Sequence, residues 1–454
     1  MKKALQTMTQ LQSGALAQSK RLSLSEGLSA FPREIFELAD SLEYLDLSAN
    51  QLDSLPDDFG RLHKLKILFL STNRFTELPK VLADCPELEM IGFKSNVIAH
   101  MPEHGLPPKL RWLILTDNRI EKLPHSMGQL TRLQKLMLAG NALTQVPDSL
   151  QHCTQLELIR LSANRLTQFP HHLLQLPRLA WLAFAGNPFC ALPAEHTARP
   201  RVALDDLRLL EALGQGASGV IYRAEWRRRP EGLADPDAQI AVKLFKGQVT
   251  SDGYAQDEMQ ASLDAGAHPS LVAVLASIAD HGQTGLVMRL IPAGFTNLGQ
   301  PPSLTSCTRD TFAEGAQRPL TQLLDMACSM ADVLAHVHAR GLSHGDVYAH
   351  NILCDSDGRI LFGDFGAAAR FDYLPEPQQQ AIQMIELRAF GHLLDDMLSL
   401  CADGAQNQAT FDALRRVQVR CVLVNAGANV SANASTALDM RGVKQVLDRL
   451  RAGV

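Results

Sequence analysis

The sequence predicts two folds in tandem: an α/β solenoid of short stacked strands over residues 20–190, and an α+β domain over residues 204–454. Two observations predict this. Asparagine recurs at Asn50, Asn73, Asn96, Asn118, Asn141, Asn164 and Asn187, at spacings of 23, 23, 22, 23, 23 and 23. Beyond residue 203 the clock stops. A glycine-rich strand–turn–strand passage and helix-periodic stretches replace it. A chain of 454 residues is expected to make two or three domains. Residues 1–19 are expected to be a cap or disordered, and residues 191–203 a linker.

Each repeat justifies the solenoid in the same way. In SLEYLDLSANQLDSLP and KLKILFLSTNRFTELP, leucine alternates with a variable residue along one short strand. The leucines therefore share a face. One copy cannot bury that face alone, so neighbours stack into a continuous core. The asparagine stands where the chain leaves the strand, and its amide can satisfy backbone groups of the turn. The Leu-Pro that follows starts the return segment without needing a backbone donor. A weaker first copy puts Gly27 another 23 residues upstream. This pattern resembles the leucine-rich repeat family in its short bacterial form. Strand residues facing away from the core include Tyr44, Phe69, Trp112, Ile114 and Trp181. They predict a protein-binding concave face, or one covered by the second domain or by a second copy.

Net charge is −5, so no broad basic face calls for nucleic acid or anionic lipid. The short run Arg227-Arg228-Arg229 reads as a solvated loop. Eight cysteines, none in a Cys-x-x-Cys pair, point to free thiols in a reducing compartment. The N-terminus has no apolar run of the signal-peptide kind, and no stretch is apolar for long enough to span a bilayer. The expected location is the cytoplasm.

In the second half, LGQGASGVIYRAEW sets Gly214, Gly216 and Gly219 at G-x-G-x-x-G spacing between two strand-like runs. Glycines let backbone amides approach phosphates. Ile240-Ala241-Val242-Lys243 is a strand ending in lysine. A helical stretch then offers Glu258, with Asp257 as the lesser alternative, as the carboxylate that steadies the lysine. GLVMRLIP is a further strand, with Met288 near its end. A helix-periodic run delivers GLSHGDVYAHNILCDSDGRILFGDFG. There Asp346 precedes Asn351 by five residues, and Asp364 follows Asn351 by thirteen.

These motifs, in this order, resemble the bilobal protein kinase catalytic domain. The resemblance implies an ATP-dependent, magnesium-using serine/threonine kinase. Leu213, Gly214, Gly216, Gly219, Ile221, Ala241, Lys243 and Met288 would bind the nucleotide. Glu258 would anchor Lys243, Asp346 would orient or deprotonate the acceptor, and Asn351 and Asp364 would hold the metal.

Four positions depart from the family pattern. Gly345 stands for an arginine, and Tyr348 for a lysine that touches the transferred phosphate. Leu374-Pro375-Glu376 closes an activation segment only eight positions after Gly366, and Glu386 stands for an aspartate in the central helix. The His344-Gly345-Asp346 triplet also resembles small-molecule kinases of the aminoglycoside type. A nucleotide-binding pseudokinase scaffold is the third reading. Residues 292–319 are expected to form a lid or a disordered connector. His336 and His338 are expected to be packing histidines.

Overall fold

A computed structural model describes residues 5–190, 200–216, 218–233, 235, 238–246, 249–250, 252–280, 282–424 and 439–453. The expected linker positions 191–199 lie outside the described residues, as do the Asn-Ala-Ser strings after residue 428. The chain forms two compact units. One comprises Met1–Arg178 with Asn187–Phe189, the other Leu179–Gly186 with Cys190–Val454.

The first unit carries seven parallel strands: β1 (Arg21–Ser23), β2 (Tyr44–Asp46), β3 (Ile67–Phe69), β4 (Met90–Gly92), β5 (Trp112–Ile114), β6 (Lys135–Met137) and β7 (Leu158–Arg160). They pair in register, so Leu22, Leu45, Leu68, Ile91, Leu113, Leu136 and Ile159 form one fully buried row. The asparagines form a second row. Asn73 Nδ2 donates to Leu47 O at 2.9 Å and Leu70 O at 3.1 Å, while its Oδ1 accepts from Leu52 N at 2.9 Å. One amide thus serves its own turn and the repeat before it, and the pattern recurs at Asn96, Asn118, Asn141 and Asn164. Prolines at positions 32, 79, 124, 147 and 170 each precede a short 3₁₀ turn, where a missing N–H costs nothing. Residues 5–19 supply a cap. They include α1 (Met8–Gln12), and the Gln6 side chain accepts from Ser23 N and donates to Arg21 O, occupying the edge of β1.

The second unit begins with the strand of the last repeat, β8 (Trp181–Ala183). Arg201–Val202, assigned to the linker on sequence grounds, instead form β9, which pairs in parallel with a strand of the upper sheet. That pairing satisfies backbone groups that a free linker would leave to water. The upper sheet has the order β10 (Leu207–Gln215), β11 (Gly219–Trp226), β12 (Ile240–Phe245), β14 (Gln283–Arg289), β13 (Val274–Asp280), β9. Helix α2 (Ala255–Ala265) packs on it.

The lower part holds the small strands β15 (Thr296–Asn297), β16 (Leu342–Ser343), β17 (Ile352–Cys354), β18 (Ile360–Phe362) and β19 (Ala369–Arg370). Its helices are α3 (Leu320–Ala339), α4 (Glu376–Ser399), α5 (Gln408–Val422) and α6 (Met440–Ala452). Pro375 caps α4, so the short activation segment runs straight into the 24-residue central helix. The connector 292–319 is ordered. β15 pairs with β17, Gln300 bridges to Thr311, Cys307 is buried, and Arg309 reaches Asp395 and Asp396 on α4. Half-buried charge pairing holds a segment whose composition reads as loose.

Candidate active site

Between the upper sheet and the lower part of the second unit lies a cleft of about 280 Å³. Strand registers set its roof. Ile221 on β11 lies opposite Lys243 on β12, and Ala241 lies opposite Met288 on β14. Ile221, Lys243, Glu258, Met288, Asn351 and Asp364 all line the cleft. Six of the residues singled out from the sequence, scattered over more than a hundred positions, therefore converge on one hollow.

Lys243 Nζ pairs with Glu258 Oε1. Glu258 is 3% exposed. Burial pushes its carboxyl up to about 7, with the Lys243 charge opposing and Asp364 adding to the rise. The alternative, Asp257, points elsewhere. It is pushed up to about 6 by burial and lies against Gly186, where a Cβ would come within 2.5 Å of Asp257 Oδ2. One residue of helix register, about 100°, separates the two outcomes.

In the lower wall, Asn351 Nδ2 donates to Asp346 Oδ2 at 2.8 Å and to Asp346 O at 3.0 Å. Asp346 thereby joins the site through Asn351, although it does not itself line the cleft. The same bonds fix the amide, and its Oδ1 accepts no hydrogen bond among the described residues. Asp364 adopts a left-handed backbone, φ +59°, which turns its side chain into the cleft. Beside it, His344 stacks on Phe362 at 4.1 Å and lies 4.8 Å from Phe365. Burial lowers the His344 pKa, and as a neutral ring its Nε2–H donates to Gly363 O at 3.0 Å.

Other candidates stand apart from the lining. Leu213 is 48% exposed, and Gly214 and Gly216 have open space around them. Gly219 packs so closely on Leu244 O that a Cβ would come within 2.4 Å, so this glycine serves strand pairing. Ala241 is buried in β12.

Sequence reasoning missed Asn297, His350 and the residue behind it, Asp310. Asn297 and His350 line the cleft. Asp310 accepts from His350 N at 2.9 Å and pairs with His350 Nδ1 at 2.7 Å. Burial opposes protonation of His350, but the Asp310 carboxylate outweighs it and holds the imidazole above its usual value. Forty residues separate the pair, and no local pattern announces it.

The departures acquire physical reasons. Gly345 has φ +71°, and a Cβ there would meet Ala367 O at 2.5 Å and Leu182 O at 2.9 Å. Glu386 Oε1 accepts from both His344 N and Gly345 N at 2.7 Å, and His338 Nε2 lies 2.6 Å from Oε2. The longer carboxylate of Glu386 thus holds the start of the loop from the central helix. His338 is a packing histidine, bound to that carboxylate. Tyr348 is buried and stacks on Trp181, centroids 4.4 Å apart and planes 6° apart. Trp181, whose face the sequence left either open to a protein or covered, is 1% exposed and belongs to the second unit. The other named face residues, Tyr44, Phe69, Trp112 and Ile114, are half-buried. Arg21 stacks over Tyr44 and Lys135 over Trp112.

The chain matches two known families. The family described as protein tyrosine and serine/threonine kinase matches residues 207–393, and the leucine rich repeat family matches residues 40–98 and 108–166. Serine/threonine-protein kinase PknF of Mycobacterium tuberculosis is 30% identical over 171 residues, covering 36% of this chain and 32% of that protein. Serine/threonine-protein kinase AtPK1/AtPK6 of Arabidopsis thaliana is 25% identical over 176 residues, covering 38% and 33%. This chain thus spans about a third of the length of both relatives. A leucine-rich repeat protein of Leptospira interrogans aligns at a TM-score of 0.34 and 28% identity, over 39% of this chain and 52% of that one.

Proposed function

We propose that this chain, which joins leucine-rich repeats to a protein kinase domain, transfers the γ-phosphoryl group of ATP to a serine or threonine hydroxyl of a protein. The observation that carries this reading is the Lys243–Glu258 pair on one wall of a cleft whose other wall holds Asn351 and Asp364. None of the four polar groups that a kinase needs in that cleft is missing. Ile221, Ala241 and Met288 supply the apolar slot for adenine. Leu213 and the glycines Gly214, Gly216 and Gly219 form the strand–turn–strand that covers the phosphates. Lys243, steadied by Glu258, holds the α- and β-phosphates.

The donor set suits magnesium. It combines a carboxylate with an amide oxygen whose own N–H₂ is tied to Asp346. Magnesium held by Asn351 and Asp364 would neutralise phosphate charge. Asp346, oriented by the same amide, positions the acceptor hydroxyl and takes its proton. Tyr348 leaves the loop without its usual lysine, so catalysis rests more heavily on Lys243 and the metal.

The repeats are assigned to recruitment of a protein partner, through Tyr44, Phe69, Trp112 and Ile114. A cytoplasmic setting is supported by the eight free cysteines. No helix among the described residues is long and apolar enough to cross a membrane.

The test is transfer of radiolabel from ATP to myelin basic protein by purified full-length chain, with phosphoamino-acid analysis of the product. Wild type is expected to label serine or threonine, and Asp364→Ala to fall at least about 100-fold. Equal labelling by the two proteins would overturn the reading. So would ATP binding by wild type with no transfer to any protein.

A further inference from the structure

Strand β8 is a repeat strand by sequence, yet it packs within the second unit beside the loop that carries Asp346. Trp181 Nε1 donates to Val347 O at 3.1 Å, bonding the residue directly after Asp346. The Trp181 indole lies flat on Tyr348, the next residue, and His392 from α4 lies 5.3 Å from the indole. Leu182 O is one of two carbonyls crowding Gly345, the residue directly before Asp346. Arg388 on α4, itself buried, donates from Nη1 to Leu179 O. Asp346 is therefore flanked on both sides by residues that meet β8. Two of these contacts, at Gly345 and Tyr348, fall at the loop positions where the chain departs from the family pattern. Gly345 leaves room for the Leu182 carbonyl, and Tyr348 offers a flat ring where a lysine would offer a flexible stem.

We infer that residues 179–182, outside the matched kinase segment of 207–393, are a positioning element for the catalytic loop, with Trp181 as its principal positioning residue. The loop has no arginine to be tied down by a phosphorylated activation segment, and its activation segment is short. β8 supplies the fixed support instead, and it is present in the unmodified chain. Trp181 acts through Val347 and Tyr348 on the place of Asp346; it is not itself among the residues that line the cleft. An offset of about 1 Å in such a group is enough to cost a large factor in rate while leaving nucleotide binding intact. The inference rests on the proposed kinase activity for its rate consequence, but not for its structural one.

The experiment uses the full-length chain and two variants. Trp181→Leu fills much of the space but has neither a flat ring nor an N–H; Trp181→Phe restores the ring alone. Two quantities are read: amide hydrogen exchange across residues 344–351 by mass spectrometry, and kcat and KM for ATP with a protein acceptor. Trp181→Leu is expected to speed exchange in that loop at least about tenfold and to lower kcat by roughly 10–100-fold. Its KM for ATP should stay within about twofold of wild type. Trp181→Phe should lie between wild type and Trp181→Leu in both readouts. Wild-type exchange and wild-type kcat in Trp181→Leu would overturn the inference. Equal loss of exchange protection throughout the second unit would also overturn it, because that would mark a general core residue. If wild type itself transfers no phosphate, the exchange result still decides the inference while the kinase reading alone fails. If Trp181→Leu does not fold, wild-type exchange and wild-type kcat in Trp181→Phe count against it.

Discussion

Glu386 offers the most direct test of how the central helix holds the loop that carries Asp346. Its Oε1 accepts two loop N–H groups at 2.7 Å, and its Oε2 accepts from His338 Nε2–H at 2.6 Å. Glu386→Ala leaves these buried donors without partners, at about 1–3 kcal/mol each. Part of that loss is returned, because a buried carboxylate no longer has to be stripped of water. The net cost should be about 3–5 kcal/mol, the lower part of the sum over the three donors. In a unit of this size that lowers the melting temperature by roughly 10 °C. Glu386→Gln keeps one oxygen to accept both loop N–H groups and should lose about 1–2 kcal/mol.

The Glu386 carboxyl also carries a pH signature. Burial alone would raise its pKa, but the His338 bond and the loop donors outweigh burial and hold it below the ordinary glutamate value of 4.5. Its contribution is therefore complete above that value and is lost as pH falls toward the folded-state pKa. The gap between wild type and Glu386→Ala should then narrow below about pH 4. Thermal melts followed by tryptophan fluorescence at pH 7 and about pH 3 measure both effects, since Trp181 and Trp226 belong to the second unit. A loss under about 1 kcal/mol at pH 7, or a gap independent of pH, would refute the reasoning.

Three further outcomes are expected. Restoring the family's arginine by Gly345→Arg should destabilise the second unit by more than about 2 kcal/mol, because a left-handed backbone and the crowding at Ala367 O act together; a melt within 1 °C of wild type, about the spread of repeated melts, would contradict this. Asn118→Ala removes bonds to Phe93 O, Leu115 O and Ile98 N and should cost the first unit roughly 2–4 kcal/mol, seen as an earlier urea transition of Trp112. Under native conditions iodoacetamide should label the half-buried Cys190 and Cys401 well before Cys85, Cys153 and Cys421. Burial pushes those three thiols up to about 12, 11 and 12 respectively, and peptide mapping by mass spectrometry gives the order.

The repeat was legible because its signals are local. Each leucine alternation and each asparagine acts within one turn of its own chain or its immediate neighbour, so spacing alone reports the geometry. The kinase motifs were legible for a related reason. Glycine-rich turn, strand lysine, helix glutamate and loop carboxylates are each set by short-range backbone demands, and their order along the chain identifies the assembly. The choice of Glu258 over Asp257 came from spacing, and helix register sets Glu258 beside Lys243 and Asp257 toward Gly186.

Other features depend on contacts between residues far apart in the chain. Asp310 finds His350 across 40 residues, which orders a connector that composition marks as loose. Trp181 finds Val347 across 166 residues, and of the open and covered faces the sequence allowed, it takes the covered one. A strand pattern says which way a side chain points, but not what will cover it. The sequence by itself therefore determined the two folds, the order of their motifs and six of the residues that ring the cleft, since these follow from neighbour-to-neighbour backbone geometry. Only the tertiary structure decided that the last repeat strand belongs to the second unit, and why Gly345 and Tyr348 stand on either side of Asp346, because burial and stacking depend on surfaces that meet only when the chain has folded.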